Sequence, residues 1–204
     1  MTRLAVVYYS STGHVHKLAQ AVAAGAEETG AEVRLRRVPE LAPEEVIRSQ
    51  DAWHEHVVAT HDVVPEATLD DLDWADGYAL GTPTRYGTPA AQMKQFIDTS
   101  GPLWAKGGLA NKAATSFTSS MNRHGGQEST ILALNNVFYH WGSVIVAPGY
   151  TDKLLYASGG NPYGTSYVSG QDVADSLPEE IETAARYQGK RWAKVASALK
   201  AAEL

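Results

Sequence analysis

Residues 4–9, Leu-Ala-Val-Val-Tyr-Tyr, form an unbroken apolar, β-prone run that passes directly into Ser10, Ser11, Thr12, Gly13, His14 and Val15. Such a run predicts a strand buried on both faces, as in a parallel sheet covered by helices on each side. Beyond Gly13, the apolar residues Val15, Leu18, Ala19, Val22 and Ala23 recur at helical spacing, so the loop opens into a helix N-terminus. The first turn of a helix has free backbone N–H groups and a partial charge of about +0.5. A hydroxyl-rich loop at that end suits a phosphate monoester, although the same four residues, 10–13, also read as an N-capped turn. Neither the dinucleotide fingerprint nor the Walker loop stands here, which disfavours a nicotinamide Rossmann domain and a P-loop NTPase.

The chain is long enough for one domain, residues 1–204, with insertions at about 39–74 and 147–175, and its 44% hydrophobic content can fill a core. The net charge of −6 comes from interspersed rather than blocked residues, which argues against a nucleic-acid partner. There is no cysteine, so disulfides, thiolate metal sites, iron–sulfur clusters and cysteine nucleophiles are excluded. No apolar stretch reaches transmembrane length and the N-terminal run is too short for a signal peptide, so no membrane insertion and a cytoplasmic location are expected.

In chain order, the first helix is expected to end near Thr29, with a second strand over 32–38. Between Pro39 and Trp74 the sequence turns polar and irregular, with a short helix from Pro43 to about Gln50. There, His54 and His56 would share one face of a strand and, with His61, could be read as a metal cluster; the alternative is a surface loop anchored by Trp53. A third strand over 77–81 leads into the loop Thr82-Pro83-Thr84-Arg85-Tyr86-Gly87 and a helix over 90–99. Ligands of open α/β sheets bind at such carboxyl-end loops, while a proline-fixed loop with a surface arginine reads equally well.

Trp104, in the Gly-rich connection 100–109, suits either a wall for a flat ligand or a packing contact. A fourth strand from Lys112 ends in a third loop, Ser119, Ser120, Met121, Asn122, Arg123, His124, Gly125 and Gly126, before a helix over 127–141. A short fifth strand at 143–146, a loop-rich stretch at 147–170 and a last helix from Pro178 complete the pattern. No spacing singles out a hydrolase triad.

These residues carry a resemblance over nearly the whole length. Tyr8-Tyr9-Ser10 with Gly13-His14, the stretch 81–87, Gln92-Met93, Leu103-Trp104-Ala105, Gly125-Gly126-Gln127-Glu128, Asn161-Pro162-Tyr163-Gly164 and Ala185-Arg186-Tyr187-Gln188-Gly189 resemble the WrbA-type NAD(P)H:quinone oxidoreductases. The resemblance implies a flavodoxin-like, doubly wound α/β fold: a five-stranded parallel sheet in order 2-1-3-4-5 with helices on both faces. It also implies FMN as cofactor, NAD(P)H and quinones as substrates, ping-pong two-electron reduction, and a homotetramer. Ser10, Ser11, Thr12, Gly13, His14 and Val15 match the phosphate loop, and Pro83, Thr84, Arg85 and Tyr86 the loop beside the isoalloxazine. Ser119, Ser120, Met121, Asn122, Gly125 and Gly126 match the third flavin loop, and His140 a histidine near the flavin. Trp104 matches the aromatic lining the substrate cavity, Thr12 stands where some members carry a nicotinamide-contacting aromatic, and Arg85 is the candidate catalytic residue. No metal is implied. Two departures stand out: the third loop is one residue longer with fewer small residues, and residues 53–64 are longer than in the family. A flavodoxin-like electron carrier is the alternative function.

Overall fold

The computed structural model describes residues 1–170 and 176–202, so the end of the second expected insertion, 171–175, lies outside the described residues. Strand β1 (Arg3–Tyr8) runs into α1 (His14–Glu27), followed by β2 (Glu32–Arg37). Three helices follow, α2 (Glu44–Arg48), α3 (Asp51–His61) and α4 (Leu69–Trp74), and lead to β3 (Gly77–Arg85) and β4 (Thr88–Pro89). Then come α5 (Ala91–Thr99), α6 (Gly101–Ala105), β5 (Ala113–Ser120) and α7 (Gln127–Trp141). The chain closes with β6 (Val144–Ile145), α8 (Leu154–Ala157), β7 (Ser166–Val168) and α9 (Glu179–Ala201).

The sheet path is β2-β1-β3-β5-β6, parallel throughout. With the hairpin strand β4 set aside, this is the expected order 2-1-3-4-5. The sheet has seven strands rather than five, because β4 pairs antiparallel with the end of β3 and β7 lies parallel to the end of β5. The two-residue side-chain period of β1 explains its apolar run. Leu4, Val6 and Tyr8 pack into one core with Val15, Leu18 and Val22 of α1 and Ile181, Ala185 and Trp192 of α9. Ala5, Val7 and Tyr9 face a second core containing Leu72, Met93, Phe96, Leu134 and Phe138. Helices therefore cover both faces, as expected.

Gln188, fully buried, stitches the first layer to the sheet: its Nε2 donates to Thr115 Oγ1 at 2.8 Å and Ser116 O at 2.9 Å, and its Oε1 accepts from Thr165 N at 2.7 Å. Trp192 adds an Nε1 bond to Ala113 O at 3.1 Å.

Three expectations are corrected. The first insertion is helical, not irregular: Trp53, Val57 and Thr60 recur at helical spacing on α3, and the partly buried side faces the body. The strand-face pairing of His54 and His56 therefore fails, since residues two apart on a helix diverge by about 200°, and no group of residues suited to a metal occurs among the described residues. The anchoring role of Trp53 stands, because its Nε1 donates to Glu40 Oε2 at 3.0 Å.

Second, Thr82, Pro83, Thr84 and Arg85 belong to β3, and Ser119 and Ser120 to β5, rather than to loops. Pairing of Thr82 with Thr118 and Pro83 with Ser119 extends both strands toward the site. Third, the fifth strand is only Val144–Ile145, and the loop-rich stretch contains α8 and β7. Two short strands thus flank β5 in turn, β6 beside Ala113–Ala114 and β7 beside residues 118–120.

Candidate functional site

The carboxyl edge of the sheet gathers the ends of β1, β3 and β5. At the end of β1, Ser10 Oγ accepts a bond from Gly13 N at 3.1 Å, closing a tight turn. Gly13 sits at φ +92°, a left-handed conformation that an L side chain rarely adopts, and α1 begins there with no side-chain cap. Thr12 Oγ1 lies 3.1 Å from His14 Nδ1, and Ser10, His14 and Val15 are buried. The α1 start, with glycine as its N-cap, thus stands beside the hydroxyls of Ser10, Ser11 and Thr12. That donor set fits a phosphate monoester.

Arg85, at the end of β3, reaches this loop: its Nη2 donates to Ser11 Oγ at 3.2 Å. Tyr86 follows at φ +53°, a strained setting for a non-glycine residue, and its ring is fully exposed. Thr84 ties this segment to the third loop. Its Oγ1 donates to Gly125 O at 3.2 Å and accepts from Thr130 Oγ1 at 2.8 Å and Gly87 N at 3.2 Å. Within the third loop, Ser120 Oγ donates to Asn122 O at 2.8 Å, and Gln127 Nε2 donates to the carbonyls of Asn122 and Arg123. Met121 is exposed. Helix α7 starts at Gly126 with no side-chain cap, as α1 does.

Two expected site residues are placed elsewhere in the chain. Trp104 Nε1 donates to His140 O at 2.9 Å, and His140 lies in the last turn of α7, about 20 Å along the helix from Gly126. Both sit near the start of β5, where Ala113 pairs with Val144, at the amino edge of the sheet. Trp104 is 55% exposed there. A groove of about 950 Å³ also lies at the amino edge, against Met1, Gly30 and Lys200, away from the loop cluster.

The structure reveals one residue that sequence reasoning missed. Glu40 accepts from Tyr9 Oη at 2.8 Å, Trp53 Nε1 at 3.0 Å, Gln92 Nε2 at 2.5 Å, Leu41 N at 2.8 Å and Ala42 N at 3.0 Å. It joins Tyr9, just past the end of β1, to α3 and α5. Burial pushes its pKa up, but these donors outweigh burial and hold it below the usual value. The carboxylate in turn adds to the effect of burial on Tyr9, whose phenol titrates well above its ordinary range. A lone Glu after Pro39 carries no motif, so only the convergence of three elements exposes it.

Behind the same loop, His16 Nδ1 lies 2.6 Å from Tyr8 Oη, and the His16 and His56 rings are 5.5 Å apart. Burial lowers both from 6.5 to about 4, and each ring's cationic neighbours, Lys17 for His16 and His16, Lys17 and His14 for His56, add to it. Between pH 6.5 and 4 the unfolded chain therefore binds more protons than the folded one, so stability rises with pH across that window and is lost on acidification. Partial exposure screens the effect. Denaturant unfolding at pH 7 and pH 4.5 is expected to show a loss of roughly 1–3 kcal/mol from this pair, and His16→Gln/His56→Gln is expected to flatten the difference. An unflattened difference would assign the loss to other groups.

A doubly wound parallel sheet with a hydroxyl-rich loop leading into a helix start at its carboxyl edge defines a flavodoxin-like protein. The model of the family described as NADPH-dependent FMN reductase matches residues 2–151. The chain belongs to that family. It is 46% identical to a NAD(P)H dehydrogenase (quinone) of Deinococcus radiodurans, over 95% of this chain and 96% of the relative. It is 44% identical to one of Geobacter metallireducens, over 97% and 99%. A WrbA-like flavodoxin structure from Agrobacterium tumefaciens superimposes with a TM-score of 0.65 at 27% identity, covering 97% of this chain and 99% of that one. Among the described residues no helix is long and apolar enough to cross a membrane.

Proposed function

We propose that the chain is an FMN-dependent NAD(P)H:quinone oxidoreductase. The observation that carries this reading is the joining of three carboxyl-edge segments, with Arg85 bonded to the hydroxyl loop at Ser11 and Thr84 bonded to the third loop at Gly125. Bound FMN would supply hydride acceptance from NAD(P)H and two-electron delivery to a quinone, one substrate replacing the other.

The residues divide the work. Ser10, Ser11, Thr12, Gly13, His14 and Val15 hold the phosphate through hydroxyls and the α1 start. Pro83, Thr84, Arg85 and Tyr86 would hold the ring system together with Ser119, Ser120, Met121, Asn122, Gly125 and Gly126. The Arg85 guanidinium, bonded to Ser11, would place a positive charge beside the flavin. The exposed Tyr86 ring offers a planar face to a flat substrate.

Trp104 and His140 lie too far along the fold to reach these loops from within one chain. In this reading both residues, with Trp104 as a substrate wall, would serve the site of a neighbouring copy in a cytoplasmic homotetramer. Light scattering would test this: a monomer in solution would remove both residues from the site.

Anaerobic rapid mixing of the FMN-loaded protein with NADH or NADPH, then benzoquinone, tests the activity. Flavin bleaching followed by reoxidation by the quinone is expected. Failure to bleach would favour the electron-carrier reading. Loss of one charge-stabilising donor typically costs about 2.7–4 kcal/mol in the barrier. Arg85→Ala, at an exposed position, is expected to slow bleaching by at least about tenfold. Unchanged bleaching would leave Arg85 a structural residue.

A further inference from the structure

The three side chains that donate to Glu40 each connect to the loop cluster. Tyr9 directly precedes Ser10, and its backbone N–H donates to Gly81 O at 2.9 Å, on the strand that leads into residues 83–85. Gln92 stands in the first turn of α5, just past Ala90, whose N–H donates to Thr82 Oγ1 at 3.0 Å. Trp53 stands on α3, which also carries His56 to the loop: a Cβ built on Gly13 would lie 3.4 Å from His56 Nδ1. Ser10, Glu40 and His56 accordingly line one cavity of about 210 Å³.

We propose that Glu40 is a positioning residue for FMN, its carboxylate holding the start of the phosphate loop, residues 10–13, in place against the end of β3. This rests on residues 10–15 being the phosphate loop. The bonds close on themselves. Glu40 Oε2 accepts from Tyr9 Oη at 2.8 Å and Glu40 Oε1 from Gln92 Nε2 at 2.5 Å, while Gln92 Nε2 also donates to Tyr9 Oη at 3.0 Å. Bonds from Leu41 N and Ala42 N to Oε1 fix the carboxylate on its own turn. Tyr9, 3% exposed, is thus pinned by its backbone to β3 and by its hydroxyl to this triangle, and Ser10 follows it by one peptide bond.

Only an ionised carboxyl satisfies this arrangement. Oε1 has three donors and Oε2 has two, the second being Trp53 Nε1 at 3.0 Å. An amide in the same place would turn its own N–H groups toward one of these sets, and neither the Trp53 indole nor the backbone N–H groups can reverse to accept them. The donors outweigh burial and keep the group ionised. Glu40→Gln therefore keeps the shape of the side chain but drives it off its partners, which loosens the triangle. A phosphate held by hydroxyls and backbone N–H groups needs them within about 0.5 Å of their places, so a shift at Ser10 weakens binding of the phosphate more than binding of the ring.

The test is titration of the FMN-depleted full chain with FMN and with riboflavin, which lacks the phosphate, in phosphate-free buffer at pH 7. Wild type, Glu40→Gln, Tyr9→Phe and the double variant are compared. Glu40→Gln is expected to raise the FMN Kd about tenfold and the riboflavin Kd by no more than about twofold, the tenfold being the worth of roughly one charge-assisted hydrogen bond. Tyr9→Phe, which keeps the ring and removes the hydroxyl, is expected to act in the same direction and carries the test if Glu40→Gln does not fold. The double variant is expected to bind FMN more weakly by less than the product of the two single effects, because both act on one triangle. FMN and riboflavin weakened by the same factor would reduce Glu40 to a structural residue and overturn the proposal, as would an unchanged FMN Kd. Riboflavin bound by wild type as tightly as FMN would instead overturn the phosphate-loop reading on which the proposal rests.

Discussion

Gly189→Ala is expected to lower the unfolding free energy by about 3 kcal/mol, the upper end of ordinary overpacking. Helices α1 and α9 cross with glycine at both points of contact. A Cβ on Gly189 would lie 2.0 Å from the carbonyl oxygen of Val22, and one on Gly25 would lie 2.0 Å from that of Arg186. Both obstructing atoms are backbone, so rotating a side chain relieves nothing and the helices must separate. Separation would loosen the buried contacts of Leu18, Val22, Ala185 and Trp192 in the same core. For a chain of this size the midpoint should fall by roughly 6–12 °C. Gly101→Ala, where a Cβ meets nothing within 4 Å, is the control. A Gly189→Ala midpoint no lower than that of the control would refute the close crossing.

The second large effect belongs to the site. Thr84→Val keeps the shape of the side chain and removes the hydroxyl that joins the end of β3 to the third loop. Gly125 O, Thr130 Oγ1 and Gly87 N each lose their bond to it. Each group left unpaired in a dry setting costs about 1–3 kcal/mol, part of which water recovers at this partly buried position. The two walls of the proposed flavin cleft would then be held independently. The FMN Kd, read from the quenching of flavin fluorescence, is expected to rise about 10–100-fold, with a fall in melting temperature of several degrees. An unchanged Kd would show that the two walls are fixed without Thr84.

Much of this was legible in the chain. The apolar run of β1 with its hydroxyl loop, the 127–141 periodicity and the apolar stripe of α9 led to elements found where expected, because each records a local period or turn rule. The first insertion was misread for a physical reason as well. His54 and His56 suggest alternation, whereas the helical stripe of Trp53, Val57 and Thr60 is sparse and becomes meaningful only against Glu40 and the loop it braces. β7 was missed because three residues between turns carry no period, and what makes them a strand is the free edge of β5 at 118–120.

By itself, the sequence determined the alternation of strands and helices and the three segments that meet at the carboxyl edge, since hydrophobic period and strand–helix alternation are local properties, while the order of the strands came with the family resemblance. Only the tertiary structure decided that Trp104 and His140 pair at the opposite edge, that Glu40 gathers three elements, and that His56 stands behind Gly13. Those are distances between residues far apart in the chain. They are set by how α3, α5 and α7 pack on the sheet, which no local pattern encodes.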